Sequence, residues 1–254
     1  MSFWQEKRKR RRFIIITSIV LVLAGLVIGC AIYLGNYYPA DEGAVAVFAP
    51  EEQIRVSVLD NGNVIFEPHN ATAGFIFYPG GKVEHNAYQP LMAELARKGV
   101  LCVLVEMPFN LAVFDVNAAD GIQEQYPQIE HWYLGGHSLG GAMAASYLED
   151  HANEYNGLVL LGAYSTTDLS NSGLEVLSIY GSEDTVMDFE KYNESKPNLP
   201  SSFTEFVIDG GCHAYFGMYG PQDGDGTPRI SNGDQINLTA ELIVAMINKQ
   251  EHPS

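Results

Sequence analysis

Four short runs of this chain are apolar at nearly every position: AGFIFY (73–78), VLCVLVEM (100–107), GLVLLGAY (157–164) and LEVLSIYG (174–181). A strand with one wet face alternates polar and apolar residues, so strands apolar on both faces must be covered on both. Segments of helical period alternate with them: 87–99, which Gly99 should stop, the stretch after Ser138, 187–194 and 234–249. A weaker helical signal covers 118–126, and further strands are expected at 131–134 and 202–209. This alternation predicts an α/β fold, a mostly parallel central sheet with helices on both faces. Ahead of it, 54–60 and 63–68 flank Asn61-Gly62, a hairpin turn signal that adds antiparallel strands at one edge. The apolar patch 44–48 reads as a first strand.

Residues 13–34 (FIIITSIVLVLAGLVIGCAIYL) contain no charge. As a helix this run covers about the 30 Å of a bilayer core, with Tyr33, Tyr37 and Tyr38 at its far end. Residues 1–12 carry six of the 14 basic residues and one acid, Glu6. The expected organisation is a basic cytoplasmic tail (1–12), a transmembrane anchor (13–35), a tether (36–50) and an extracytoplasmic domain (51–254), held at the cell membrane in a single pass. A second reading makes 27–30 (VIGC) a lipoprotein box with Cys30 as the lipidated residue; both readings put the body outside. Beyond residue 12 the chain has 8 basic and 30 acidic residues, a net of −22, which argues against nucleic acid as a partner. Three cysteines, Cys30, Cys102 and Cys212, make no disulfide framework.

Gly136-His137-Ser138-Leu139-Gly140 fits Gly-x-Ser-x-Gly. Alone the pattern is weak. Here the serine follows a strand and opens a helix rich in glycine and alanine, the context of a nucleophile held on a sharp turn at a helix N-terminus. A serine needs a base, and the base an orienting acid. Asp184 follows the strand 174–181, and His213 follows the strand 202–209. Both therefore lie past strand C-termini, at the sheet edge where Ser138 lies. Glu183 is the alternative acid, and His252 lies in the tail. Asp223 and Asp225 have calcium-like spacing but lack the rest of such a loop; a polar loop beside the site is the simpler reading.

The segments FYPGGKVEHNAYQPL, GGHSLGGAMA, YGSEDTV and GGCHAYFG resemble those of small α/β-hydrolase-fold enzymes of the dienelactone-hydrolase-like branch, across residues 50–250. The resemblance implies the α/β-hydrolase fold after the transmembrane helix, with Ser138 as nucleophile, Asp184 as acid and His213 as base. Dienelactone hydrolases carry cysteine at the elbow; serine here points towards serine esterases. It also implies an oxyanion hole from the N–H of Leu139 and a second donor in the Pro79-Gly80-Gly81-Lys82 segment, either Gly81 or Lys82. Tyr215, Phe216 and Met218 are candidates for the substrate pocket, or for the core.

The expected activity is a serine hydrolase cleaving an ester-type acyl bond through an acyl-enzyme, with no metal or cofactor required. Its partners are a small-molecule or surface-displayed ester and the membrane. Few residues separate the strand at 157–164 from that at 174–181, which leaves no room for a large helical cap. An acyltransferase using the same triad on cell-envelope material, and a silent binding module on the same fold, are the alternatives.

Overall fold

Asn61-Gly62 closes the leading hairpin in the computed structural model, which describes residues 3–48 and 53–251. Gly62 takes φ 83°, and β1 (Ile54–Val58) pairs antiparallel with β2 (Val64–Pro68) from Ile54↔Pro68 to Val58↔Val64. β2 then pairs antiparallel with β4 (Val100–Leu104). The remaining strands are parallel: β3 (Ala73–Tyr78), β5 (Trp132–His137), β6 (Gly157–Leu161), β7 (Glu175–Gly181) and β8 (Thr204–Ile208). The eight-stranded order is β1-β2-β4-β3-β5-β6-β7-β8.

Every residue of β3, β4, β5 and β6 is buried, as the unbroken apolar runs of β3, β4 and β6 require; in β5 the burial extends to His137. Cover comes from two layers. Helices α3 (Gln89–Arg97) and α6 (Asn232–Glu251) pack on each other and on one face, where Phe75, Phe77, Leu91, Leu95, Ile243 and Ile247 share a core. Helix α4 (Leu139–His151) covers the other face with Ile76, Leu134, Leu148, Leu158 and Leu160. Gly99 ends the segment after α3 at φ 89°.

The chain folds as two units, Met1–Tyr37 and Tyr38–Ser254. The first contains α1 (Phe3–Gly35), of which Lys7–Gly35 is long and apolar enough to cross a membrane. In the second, three expectations change. The patch at 44–48 is helical rather than a strand: α2 (Glu42–Val47) forms because Asp41 Oδ1 accepts from the Ala44 N–H at 3.0 Å, an N-cap that favours the helix over extended pairing. Residues from Tyr38 onward are not a free tether. The Tyr38 N–H donates to the Lys82 carbonyl (2.7 Å), the Glu84 N–H donates to the Tyr38 carbonyl (2.9 Å), and the Ala40 N–H donates to Glu84 Oε2 (3.0 Å). The expected boundary at 50/51 lies outside the described residues.

The weak signal at 118–126 yields turns and one short 3-10 stretch, Gln123–Gln125, in place of an α-helix. Tertiary bonds hold this segment instead: Tyr78 Oη donates to the Val116 carbonyl (2.8 Å) and accepts from the Ala119 N–H (2.9 Å). Between β6 and β7 no residue is helical, in keeping with the absence of a helical cap. Helix α5 (Phe189–Ser195), capped by Asp188, follows β7.

Candidate active site

Ser138 lies between the last residue of β5 and the first of α4, at φ 51° and ψ −121°. Non-glycine residues rarely hold a positive φ, and such strain costs on the order of 1–3 kcal/mol unless the surroundings impose it. Here they do. The Ser138 N–H donates to the Leu161 carbonyl at 2.9 Å, its carbonyl accepts from the Ala142 N–H at 3.1 Å, and α4 runs against the end of β3 so closely that a Cβ at Gly140 would overlap the Tyr78 and Pro79 carbonyls. The small residues of the motif allow this approach, and the strained turn leaves Ser138 half-buried beside a cavity.

Past the ends of β7 and β8, Asp184 and His213 meet. His213 Nδ1 lies 2.8 Å from Asp184 Oδ2, with both residues buried. The other carboxylate oxygen of Asp184 accepts the N–H groups of Val186 and Met187, each at 2.9 Å, so the carboxylate is fixed on both sides. With Nδ1 engaged by a carboxylate, Nε2 is buried and has no hydrogen-bond partner among the described residues, Ser138 Oγ included; service as the base for Ser138 requires that contact to form. Gly162, at φ 51°, closes the layer behind the pair: a Cβ there would lie 2.9 Å from His213 Nδ1 and 3.2 Å from Asp184 Oδ2. Glu183, the other candidate acid, instead receives Arg229 Nε at 3.0 Å. His252 lies outside the described residues.

The two candidate donors of the oxyanion hole sit differently. The Lys82 N–H already donates to the Asn110 carbonyl at 2.7 Å. Gly81 instead lies against the elbow; a Cβ added to it would come within 2.8 Å of Leu139 Cδ2. Leu139 is the first residue of α4, where a backbone N–H has no partner within the helix. Gly81 and Leu139 thus face one another.

Tyr215, Phe216 and Met218 are brought near the histidine loop but do not line the Ser138 cavity. Phe216 is fully buried with its ring 5.5 Å from that of His137, and Met218 belongs to the core. Tyr215 and Met218 border a different cavity, of about 500 Å³, with Cys212 and Asp225. Cys212 and Cys102 are both free and buried; burial raises each thiol, and Asp225 helps push Cys212 up to about 12.

Two supporting elements escape a reading of the sequence. Asp225 accepts backbone N–H groups of Ala214 (2.8 Å), Gly226 (2.9 Å), His213 (3.2 Å) and Thr185 (3.4 Å), clamping the histidine loop to the aspartate loop. Its carboxylate is therefore occupied by protein donors, and the calcium-like spacing is a polar loop beside the site. The second is a buried strut. The Gly80 N–H donates to Tyr88 Oη at 3.1 Å, and Tyr88 Oη lies 2.7 Å from His137 Nδ1. The His137 ring lies 4.5 Å from that of His213. Burial, then the neighbouring His213 charge, hold His137 well below the usual histidine range and hence neutral. His137 stands inside the Gly-x-Ser-x-Gly motif, the only signal that could have drawn attention to it.

The model of the "Alpha/beta hydrolase family" matches residues 74–237. Among solved structures, TT1662 from Thermus thermophilus is similar with a TM-score of 0.57 and 14% identity, over 77% of this chain and 97% of that one. Dienelactone hydrolase from Anabaena variabilis is similar with a TM-score of 0.56 and 15% identity, over 76% of this chain and 99% of that one. At such identities these likenesses concern the fold alone. No curated protein matches the chain significantly.

Proposed function

We propose, from the premise that this chain belongs to the α/β-hydrolase family, that it is a membrane-anchored, extracytoplasmic serine hydrolase acting on ester-type acyl bonds. The observation that carries the reading is the buried His213–Asp184 pair at 2.8 Å, past the C-terminal ends of the same parallel strands whose sheet edge carries a serine held at positive φ on an elbow.

In this mechanism Ser138 Oγ attacks the carbonyl carbon while His213 Nε2 takes its proton. Asp184 fixes the tautomer through Nδ1 and stabilises the imidazolium. The N–H groups of Leu139 and Gly81 receive the developing oxyanion, and the positive end of α4 adds to their effect. His213 then protonates the leaving alcohol, and water, activated by the same imidazole, releases the acyl group from Ser138. Dipoles fixed before the reaction need no reorganisation during it, which makes the rigidity of the elbow part of the chemistry.

Anchoring is supported by the length and composition of α1 and by the cations at residues 7–12, which favour a cytoplasmic N-terminus. A fluorophosphonate probe tests the nucleophile: the wild type should label and Ser138→Ala should not. Equal labelling of both, or none in a folded wild type, refutes the assignment. Protease added to intact cells should digest the domain and spare residues 1–12; protection of the domain refutes the orientation.

A further inference from the structure

The cavity beside Ser138 has a volume of about 400 Å³. Leu139, Ala142 and Met143, at spacings that share one face of α4, form one wall. Ala163, from the loop after β6, and Val186 and Met187, from the loop after β7, are the aliphatic side chains of the other wall, to which Tyr164 and Thr166 add hydroxyl-bearing residues but no charge. Among the described residues no lysine or arginine lines it. The carboxylate on its rim, Asp188, is already occupied: it accepts the Lys191 N–H at 3.1 Å and pairs with Lys191 Nζ at 3.3 Å.

We propose that this site takes uncharged esters, with a compact aliphatic part held against Met143 and Met187, and rejects esters bearing a carboxylate on that part. The inference rests on the hydrolase reading above. An anion entering this cavity sheds its hydration with no cation in the lining to meet it, the nearby Lys191 being paired with Asp188, whereas an alkyl chain gains by leaving water. The net charge of −22 beyond residue 12 repels anions at longer range. Salt separates these two effects: screening over about 8 Å at physiological ionic strength removes the long-range part and leaves desolvation at the wall. Methionine side chains adapt to differently shaped chains, while Ala142, small and on the same wall, leaves the cavity its depth.

The test uses the full chain in detergent with 4-nitrophenyl butyrate and 4-nitrophenyl succinate, which share a leaving group and a four-carbon acyl chain but differ by a terminal carboxylate. The butyrate ester should have a kcat/KM about 100-fold higher, and at least about tenfold higher at high salt. Met187→Lys, which puts an ammonium into the wall, should move the ratio about tenfold towards the succinate ester. Met187→Leu, which keeps the wall apolar, should retain the wild-type ratio. Comparable rates for both esters, with fluorophosphonate labelling of Ser138 intact, overturn the charge selection and leave the hydrolase reading standing. An unmoved ratio in a labelled Met187→Lys variant does the same. Hydrolysis of neither ester above the Ser138→Ala background overturns both.

Discussion

Removing the hydroxyl of Tyr88 tests whether the strut beneath the site carries energy. Tyr88 is fully buried, and its Oη is the partner of both the Gly80 N–H and His137 Nδ1. Tyr88→Phe keeps the ring, which packs 5.1 Å from Phe77 and 6.4 Å from Tyr219, so the change is confined to one oxygen. Two buried polar groups then lose their partner. At about 1–3 kcal/mol each the loss is about 2–6 kcal/mol, and the gain from no longer burying a hydroxyl places the expectation near the lower half, about 2–4 kcal/mol. That is a large share of the roughly 5–15 kcal/mol typical of a folded domain. Urea unfolding, followed by the emission of buried Trp132, should show a lower midpoint at unchanged slope. Gly80 precedes Gly81, so kcat should also fall, by about ten- to a hundredfold, with KM little changed. A midpoint shift worth less than about 0.5 kcal/mol would refute the reasoning, since it would mean that water or a small shift satisfies both groups at no cost.

Three further outcomes are expected. Asp225→Ala should release the backbone N–H groups of His213 and Ala214 together, lowering kcat by about tenfold or more, while Asp223→Ala, whose side chain makes no such bonds, should leave it near wild type; equal effects would show that the loop matters only as a whole. His137 is neutral in the native state but titrates normally when unfolded, so below about pH 6.5 the unfolded chain binds a proton that the native chain does not. Stability should therefore fall with decreasing pH by up to about 1.4 kcal/mol per unit from this group, and His137→Gln should flatten the urea midpoint between about pH 6.5 and 5; an unchanged pH dependence contradicts a native His137 held neutral. Cys102 and Cys212, both buried and raised, should resist iodoacetamide in the native protein and react in urea, as read by mass spectrometry; rapid native labelling of either would show that its loop opens readily.

Ser138, Asp184 and His213 could be singled out from the sequence because each follows an expected strand, only that before Asp184 being a near-continuous apolar run, and the parallel strand order puts all three past strand C-termini. The hairpin at Asn61-Gly62 is legible because a tight turn is chemistry of neighbours, although the turn closes one residue wider than the pair suggests, with the Gly62 N–H donating to the Leu59 carbonyl at 2.9 Å. What the sequence hides is bonding between distant residues. Tyr88 and His137 lie 49 positions apart and leave no periodic trace, and Asp225 acts on backbone groups, which have no sequence of their own. Lys82 stays a candidate donor until its N–H is seen to meet Asn110, across a loop without regular structure. Misreading residues 44–48 has a local cause: a short apolar stretch carries no period, and one capping carboxylate decides its conformation. The substrate-pocket candidates after His213 fail for a related reason, since aromatic residues suit a core and a cavity wall equally.

The bond from the Tyr38 N–H to the Lys82 carbonyl has a practical consequence for anyone shortening this protein. A soluble version cut at residue 51, where the composition of the sequence suggests that the domain begins, would also delete Tyr38 and Ala40, whose backbone groups bind Lys82 and Glu84, immediately after Gly81. Such a protein could fold and still lack activity, and its silence would be blamed on the wrong substrate. Cutting between Gly35 and Tyr38 removes the apolar helix and keeps the loop braced.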